Sequence, residues 1–307
     1  MAGFMEIVGK TNIDFMGKRR YAFAFSGLLI ALGVLAVIQI GRGAANLGID
    51  FAGGTAVQLK FEQPVRIDAA REALSRHGLE DAELQEFAQD NKLLIRVKKQ
   101  TAIQEKVADR IVQVFAQEFP RVPFVVDSTT EIGPTIGKKL QRDALTAITF
   151  AMLGIIFYIA IRFEFRFGVA AAIATLHDVL AVLGVFYLLD KEVSLLIVTA
   201  LLTLAGYSLT DTVVVFDRIR ENLRFRHKDS LEAVINGGIN QVLSRTLVVS
   251  LTVVLVLVAL FFFGGEVIHD FSFALLMGVF IGTYSSIFVA SPLLVLWPKG
   301  GGRSMKQ

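Results

Sequence analysis

Residues 193–216, VSLLIVTALLTLAGYSLTDTVVVF, form an apolar run in which Asp211 is the one charged residue. A helix of about 20 predominantly apolar residues is long enough to cross the hydrocarbon core of a bilayer. Five other runs of this kind occur in the chain, so the sequence predicts six transmembrane helices. The predicted spans are Tyr21–Ile40, Ala144–Ile161, Phe167–Leu189, Val193–Phe216, Thr246–Gly265 and Phe271–Trp297.

The composition agrees with a membrane protein. Of the 307 residues, 54% are hydrophobic and 19% are charged, whereas about 25% of the residues of soluble domains are charged. Six buried apolar helices would leave a soluble protein of this size almost no polar face, so that alternative is disfavoured. The chain has no cysteine, which excludes disulfides and cysteine-based nucleophilic or zinc chemistry.

The positions of lysine and arginine predict the orientation of the spans. Cytoplasmic loops carry an excess of these residues, and here they cluster on one side of the predicted membrane. We therefore expect both termini in the cytoplasm, an uncleaved first span, and a net charge of +3 that reflects topology rather than nucleic-acid binding. The clustered residues are Lys10, Lys18, Arg19, Arg20, Arg162, Arg166, Arg218, Arg220, Arg224, Arg226, Lys228, Lys299, Arg303 and Lys306.

Residues 41–139 form a long polar segment, which this orientation places outside the cytoplasm as a periplasmic domain. Apolar residues alternate at Val57, Leu59 and Phe61, which is typical of a half-buried strand. The order β-α-β-β-α-β predicts a ferredoxin-like α+β fold. The other predicted elements are a helix with Ile67, Ala70 and Leu74, strands over Glu83–Ala88, Leu93–Val97 and Phe124–Thr129, and a helix with Ile103, Val107, Ile111 and Phe115 that ends before Pro120.

The predicted fold class is an α-helical membrane protein with six spans and one extracytoplasmic ferredoxin-like domain. Residues 1–20 and 298–307 are predicted to be cytoplasmic ends, and residues 140–297 hold spans two to six. Residues 217–244 are predicted to form a cytoplasmic amphipathic segment. Within that segment, Asp229 or Ser230 would cap a short helix through Ile235, and Gly237-Gly238 would break it before Ile239–Leu243.

Asp211 is the first candidate functional residue, because a charged side chain within a span is costly. Thr199, Thr203 and Tyr207 precede it at intervals of four and share a slanting stripe of one helix face. A carboxylate at the end of such a stripe can take up and release a proton, and Arg245 at the start of span five is the candidate cation. The alternatives are a static ion pair between helices, or an Asp211 side chain that reaches the cytoplasmic interface.

His177 and Asp178 in the third span are the second candidates. Imidazole titrates near neutral pH, which suits a proton relay, but a hydrogen bond that fixes helix packing is an equal alternative. The hydroxyl cluster at residues 283–286 in span six favours close helix packing instead.

Motifs for enzymatic chemistry are absent from the sequence. It has no HExxH, GxSxG or Walker loop, so we expect no enzyme activity, no metal and no cofactor. The glycine-rich residues 48–54 read as a turn into a strand with close backbone packing. Any work would then draw on an ion gradient, which supplies about 2.3 kcal/mol per charge per 100 mV.

Five motifs, in order and spacing along the whole chain, resemble the SecD/SecF family of protein-export membrane proteins, in particular its SecF branch. Two lie near the ends of the polar segment: residues 48–55, GIDFAGGT, with Gly48, Asp50, Phe51, Gly53 and Gly54, and residues 131–137, EIGPTIG, with Gly133 and Pro134. The other three lie at the end of span four, at the start of span five and within span six: residues 211–222, DTVVVFDRIREN, residues 244–247, SRTL, and residues 284–288, YSSIF.

The resemblance implies a six-span, RND-like half-bundle in a bacterial inner membrane, paired with SecD. It implies use of the proton-motive force to help draw exported preproteins out of the SecYEG translocon, and places Asp211 and Arg245 on the family's proton-coupling positions. The implied partners are proteins and membrane lipid, not nucleic acid. Two other classes stay open: a proton-driven RND-type exporter of small molecules or lipids, and a non-transporting scaffold that stabilises a channel.

Overall fold

The computed structural model describes residue 9 and residues 11–87, 90–98, 107–225 and 229–296. Predictions that involve Lys10, Ala88, Ile103, Arg226, Lys228, Trp297 and residues 298–307 lie outside the described residues. The helices are α1 (Arg19–Gly41), α2 (Ile49–Ala52), α3 (Ile67–Arg76), α4 (Val107–Glu118), α5 (Pro134–Arg162), α6 (Phe165–Leu188), α7 (Leu195–Phe225), α8 (Leu231–Phe263), α9 (Gly265–Ser285) and α10 (Ser291–Leu296). The strands are β1 (Gly54–Phe61), β2 (Glu83–Phe87), β3 (Lys92–Lys98) and β4 (Phe124–Ile132), and a π-helical turn, Ser286–Ala290, joins α9 to α10.

The chain forms two compact units. The helical unit comprises Met1–Ala45, Ile148–Lys191 and Leu196–Gln307. The sheet unit comprises Asn46–Ala147 and the short segment Glu192–Leu195.

Within the described residues, six helices are long and apolar enough to cross a membrane, which confirms the predicted number of spans. They are α1, α5, α6, α7, α8 and the continuous stretch Ile268–Leu296. Helix α5 begins at Pro134 rather than at the predicted Ala144, since proline suits the first turn of a helix, where its missing N–H would have no partner.

The predicted break at Gly237-Gly238 is wrong, because α8 runs without interruption for 33 residues. Ser230 caps this helix as predicted, and its side chain accepts a hydrogen bond from the Ala233 amide at 3.2 Å. Glycine costs a helix interior about 1 kcal/mol, but Gly238 is buried against α7, where a Cβ atom would lie 2.9 Å from Ile219 Cγ1. Close packing therefore explains the glycine, and Arg245 lies inside α8 rather than at the start of a helix.

The sheet unit has the predicted βαββαβ order, with strands arranged β2-β3-β1-β4 and every neighbouring pair antiparallel. Val57, Leu59 and Phe61 on β1 are almost fully buried. They pack with Leu74 of α3 and with apolar residues of α4 such as Phe115. The alternation read from the sequence thus marks the core face of the central strand, and the ferredoxin-like prediction is confirmed.

Helices α1 and α6 cross in close contact within the helical unit. A Cβ atom at Gly33 would lie 2.2 Å from the Leu180 carbonyl oxygen, and one at Gly184 would lie 2.7 Å from the Gly33 nitrogen. Small residues allow this approach of two backbones in membrane helices. The crossing fixes α6, which carries His177 and Asp178.

The segment before α1 packs on the first half of α8. Asn236 Oδ1 accepts hydrogen bonds from the amides of Phe15 and Met16 at 3.0 and 3.1 Å. Asn240 pairs with the backbone of Ile13 through both its amide nitrogen and its oxygen. Since the Phe15 and Met16 side chains are buried, the segment is part of the packed helical unit.

Candidate functional site

Asp178 is fully buried and links three helices. Its Oδ1 is hydrogen-bonded to His177 Nδ1 at 2.8 Å, and its Oδ2 accepts from Ser285 Oγ of α9 at 2.8 Å. Ser208 Oγ of α7 donates to the same Oδ2. The carboxylate therefore holds α7 and α9 against α6.

This arrangement suits either protonation state of Asp178. An ionised carboxylate can accept all three hydrogen bonds. Ser285 Oγ also lies 3.1 Å from the Gly282 carbonyl oxygen, so a protonated Asp178 can donate to Ser285 while Ser285 donates to Gly282. Both candidate roles predicted for Asp178, relay and packing, are compatible with this geometry.

The His177 ring is buried, and its Nε2 atom has no hydrogen-bond partner among the described residues. It lies beside Tyr284, with ring centroids 6.4 Å apart. Tyr284 donates from its hydroxyl to the Ala22 carbonyl at 2.9 Å and lies 3.1 Å from Ser26 Oγ. Span six is thus tied to span one next to the imidazole.

Asp211 is buried within α7, and its Oδ2 atom has no hydrogen-bond partner in the part of the chain that the structure describes. Arg245 of α8 exerts an electrostatic attraction on this carboxylate, but the two described side chains form no direct ion pair. The hydroxyls of Thr212 and Thr246, each next to one of these residues, are also buried without a partner within the described ranges.

Antiparallel packing of α7 and α8 brings Asp211 and Arg245 into the same region. Ile219 and Gly238 are in contact, and Asp211 and Thr246 each lie about two helical turns from that contact. The short connecting helix expected from the sequence is not what brings them together. Buried polar atoms without partners are costly, so this region is suited to a group that binds or releases a proton.

The stripe that leads to Asp211 runs from the surface of the helical unit into its interior. Thr199 and Thr203 are exposed, Tyr207 is half-buried and Asp211 is buried. Thr203 Oγ1 donates to the Thr199 carbonyl at 2.9 Å, so its hydroxyl follows the helix backbone.

Within the motif at residues 48–55, Gly53 and Gly54 lie in close contact with neighbouring backbone. Gly53 has φ +75°, and a Cβ atom at Gly54 would lie 2.4 Å from the Val97 carbonyl oxygen of β3. Gly48 caps α2, the single helical turn that contains Asp50 and the buried Phe51. Gly133 and Pro134 mark the passage from β4 into α5, and a Cβ atom at Gly133 would meet no neighbour.

Sequence reasoning missed Ser208 and Ser285 as partners of Asp178. Serine in a span is common at helix contacts, and no local pattern assigns it to a carboxylate on another helix. Among the described residues, no group of three or more His, Asp or Glu side chains could hold a metal ion.

Residues 114–300 match the family model "Protein export membrane protein SecD/SecF, C-terminal", and residues 45–65 match the SecD/SecF GG motif. A protein translocase subunit SecF from Thermodesulfovibrio yellowstonii is 54% identical over 297 residues, which cover 96% of this chain and 98% of that protein. A subunit of the same name from Calditerrivibrio nitroreducens is 41% identical, again over 96% and 98% of the two chains.

Solved structures of SecDF proteins also resemble this chain. A crystal structure of SecDF from Thermus thermophilus, described as a translocon-associated membrane protein, matches with a TM-score of 0.82 at 36% identity. A second SecDF crystal structure, in a super-membrane-facing form, has a TM-score of 0.71 at 37% identity. The present chain is covered to 96% and 97%, but it spans only 39% and 40% of those two SecDF chains. In sequence, motif and fold, the chain belongs to the SecD/SecF family of protein export membrane proteins.

Proposed function

We propose that the chain is a SecF-type subunit of the protein translocase, with an accessory, non-enzymatic role in export. The relatives named protein translocase subunit SecF support this role, because the similarity extends over nearly the whole of each chain. The SecDF structures support a pairing with a SecD-type chain, since this chain accounts for about two fifths of each of them.

The proposal places the protein in the bacterial inner membrane with both termini in the cytoplasm, as the lysine and arginine distribution predicts. Residues 41–139 are then periplasmic. The further partners are the SecYEG translocon, exported preproteins and membrane lipid.

The proton-motive force drives this activity through Asp211 and Arg245. The observation that carries the proposal is the buried Asp211 Oδ2 atom, which has no hydrogen-bond partner among the described residues and lies in the field of Arg245. Ionised Asp211 attracts Arg245, and protonation removes that attraction. A bundle with two arrangements is biased by such a change, because each arrangement binds the proton with a different affinity.

His177 and Asp178 form a second polar centre in the same proposal. Ser208, which donates to Asp178, lies about one turn before Asp211 on α7. A change in the hydrogen bonds of Asp178 therefore alters a contact of α7, the helix that carries Asp211.

The test is protein export into inverted membrane vesicles with and without a proton gradient. Asp211→Asn keeps the size of the side chain and removes its titration, so the response to the gradient is expected to disappear at a normal protein level. Asp217→Asn is the matched control on the same helix. Its carboxylate is 43% exposed and pairs with Arg162 at 3.0 Å, and loss of an exposed pair costs at most about 1 kcal/mol.

A full gradient response of Asp211→Asn would refute proton coupling at this residue and favour the scaffold function. Recovery of a SecD-type chain and the translocon on purification in mild detergent is the independent test of the partners.

A further inference from the structure

The segment Glu192–Leu195, which connects α6 to α7, belongs to the sheet unit. The Val193 amide donates to the Asn46 carbonyl at 2.8 Å, and the Gly48 amide donates to the Val193 carbonyl at 3.0 Å. Leu47 and Val193 form a parallel β-bridge. The chain is therefore held by backbone hydrogen bonds immediately before α7 begins.

Two carboxylates strengthen this attachment. Glu192 Oε2 lies 3.1 Å from Arg96 Nη1 of β3, with side chains that are 13% and 23% exposed. Asp50 Oδ2 accepts a hydrogen bond from the amide of Leu195, the first residue of α7, at 3.0 Å. A carboxylate at this end of a helix satisfies a free N–H and interacts well with the helix dipole.

Gly48, in the glycine-rich motif at residues 48–55, allows the segment Glu192–Leu195 to approach closely. A Cβ atom at Gly48 would lie 2.4 Å from Glu192 Oε1 and 3.3 Å from Ser194 Cα. Gly48 contacts Glu192, Val193 and Ser194, and Asp50 binds the Leu195 amide. Both positions of residues 48–55 therefore lie against the segment that leads into α7.

We infer that Glu192–Leu195 is a strap by which the sheet unit holds the beginning of α7, with Asp50 and the Arg96–Glu192 pair as positioning residues for proton-coupled movement. This inference rests on the proposed function, because α7 carries Asp211. Asp211 lies about 24 Å along the helix from Leu195. A shift of α7 that accompanies protonation of Asp211 is transmitted along the helix to the strap, and from the strap to the sheet unit.

Charge exchange tests the pair. Arg96→Glu and Glu192→Arg are each expected to reduce the gradient-dependent part of export at least fivefold, and the double exchange is expected to restore at least half of it. Arg76→Glu is the matched control, since it makes the same change in the same unit and breaks the Arg76–Glu118 pair, 3.0 Å apart and away from the strap. The control is expected to keep the full response.

A reversible cross-link tests the attachment itself. The chain has no cysteine, so the variant Leu47→Cys/Val193→Cys places two thiols at bridged positions, about 5 Å apart, within reach of a disulfide. In the Arg96→Glu background, oxidation is expected to restore the gradient response and reduction to remove it again. Each sample is its own control, because sequence and protein level are identical.

Asp211→Asn, measured in the same vesicles, distinguishes failure of the strap from failure of the proposed proton coupling. If Asp211→Asn has lost the response while Arg96→Glu, Glu192→Arg and Asp50→Ala all keep it, the strap is refuted and the proposed function stands. The strap is also refuted if the oxidised cross-link abolishes export in the otherwise unchanged protein, because the segment then has to detach. If Asp211→Asn responds fully, the proposed function itself fails.

Discussion

Gly33 provides a direct test of how tightly the helical unit is packed. Replacement by alanine places a Cβ atom 2.2 Å from the Leu180 carbonyl oxygen, about 1 Å closer than packed atoms approach one another. Gly27 lies on the same helix, and a Cβ atom there meets nothing within 4 Å. The pair Gly33→Ala and Gly27→Ala therefore makes the same chemical change with and without a clash.

The expected difference in stability follows from comparing Gly33→Ala with Gly27→Ala. Alanine favours a helix over glycine by up to about 1 kcal/mol, and this gain is common to both variants. Overpacking of a filled contact costs about 1–3 kcal/mol, so Gly33→Ala is expected to be less stable than Gly27→Ala by about that amount. The free energy of unfolding is measured by titration with dodecyl sulfate in mixed micelles. Stabilities that agree within about 0.5 kcal/mol would refute the close crossing of α1 and α6.

Three further predictions concern the polar groups. Asp178→Leu removes the acceptor of Ser208 and one of the two acceptors of Ser285, the other being the Gly282 carbonyl. It is expected to cost about 2–5 kcal/mol in the same titration, from three hydrogen bonds of about 0.6–1.7 kcal/mol each. A loss below about 0.5 kcal/mol would contradict the three-helix linkage. Arg245→Leu is expected to lower the protein level in the membrane as well as export, because it leaves the Asp211 carboxylate buried without a nearby cation; an unchanged level would argue against a charged Asp211. Burial raises the pKa of Glu192 above its ordinary value of 4.5, although the positive charge of Arg96 lowers it. Because the folded protein then binds this proton more tightly than the unfolded chain, the wild-type protein is expected to lose stability relative to Glu192→Gln as the pH rises from 4.5 through the raised pKa. A stability difference that stays constant, or that changes in the opposite direction, would contradict this prediction.

The six spans and the βαββαβ order could be predicted because each rests on a local pattern. An apolar run of sufficient length has few alternatives in a chain this hydrophobic, and the alternation around Val57 marks a strand whatever lies elsewhere. The helix capped by Ser230 was found for the same reason, since the capping residue and the first turn are neighbours in sequence.

The features that sequence could not give depend on distant contacts. Gly237-Gly238 predicts a break because glycine weakens an isolated helix, but α8 is continuous there and Gly238 packs against Ile219 of α7. The acceptor of Ser285 lies 107 residues away on another helix. The pairing of Asp211 with Arg245 for proton coupling stays a prediction, but the short connecting helix that was expected between them is replaced by the continuous α8.

The lengths of α7 and α8 have a consequence for how the protein can be observed. With 31 and 33 residues, the two helices extend about 46 and 50 Å, against about 30 Å for the hydrocarbon core. Asn222 Nδ2, within one turn of the α7 end at Phe225, donates a hydrogen bond to Gln241 Oε1 of α8 at 2.9 Å. The end of α7 at Phe225 lies about 21 Å along the helix from Asp211, so a tilt of about 5° about Asp211 displaces that end by about 2 Å. If the proposed function is right, a fluorescent or spin label at that end would report the protonation of Asp211 from a distance, without any change to the residue itself.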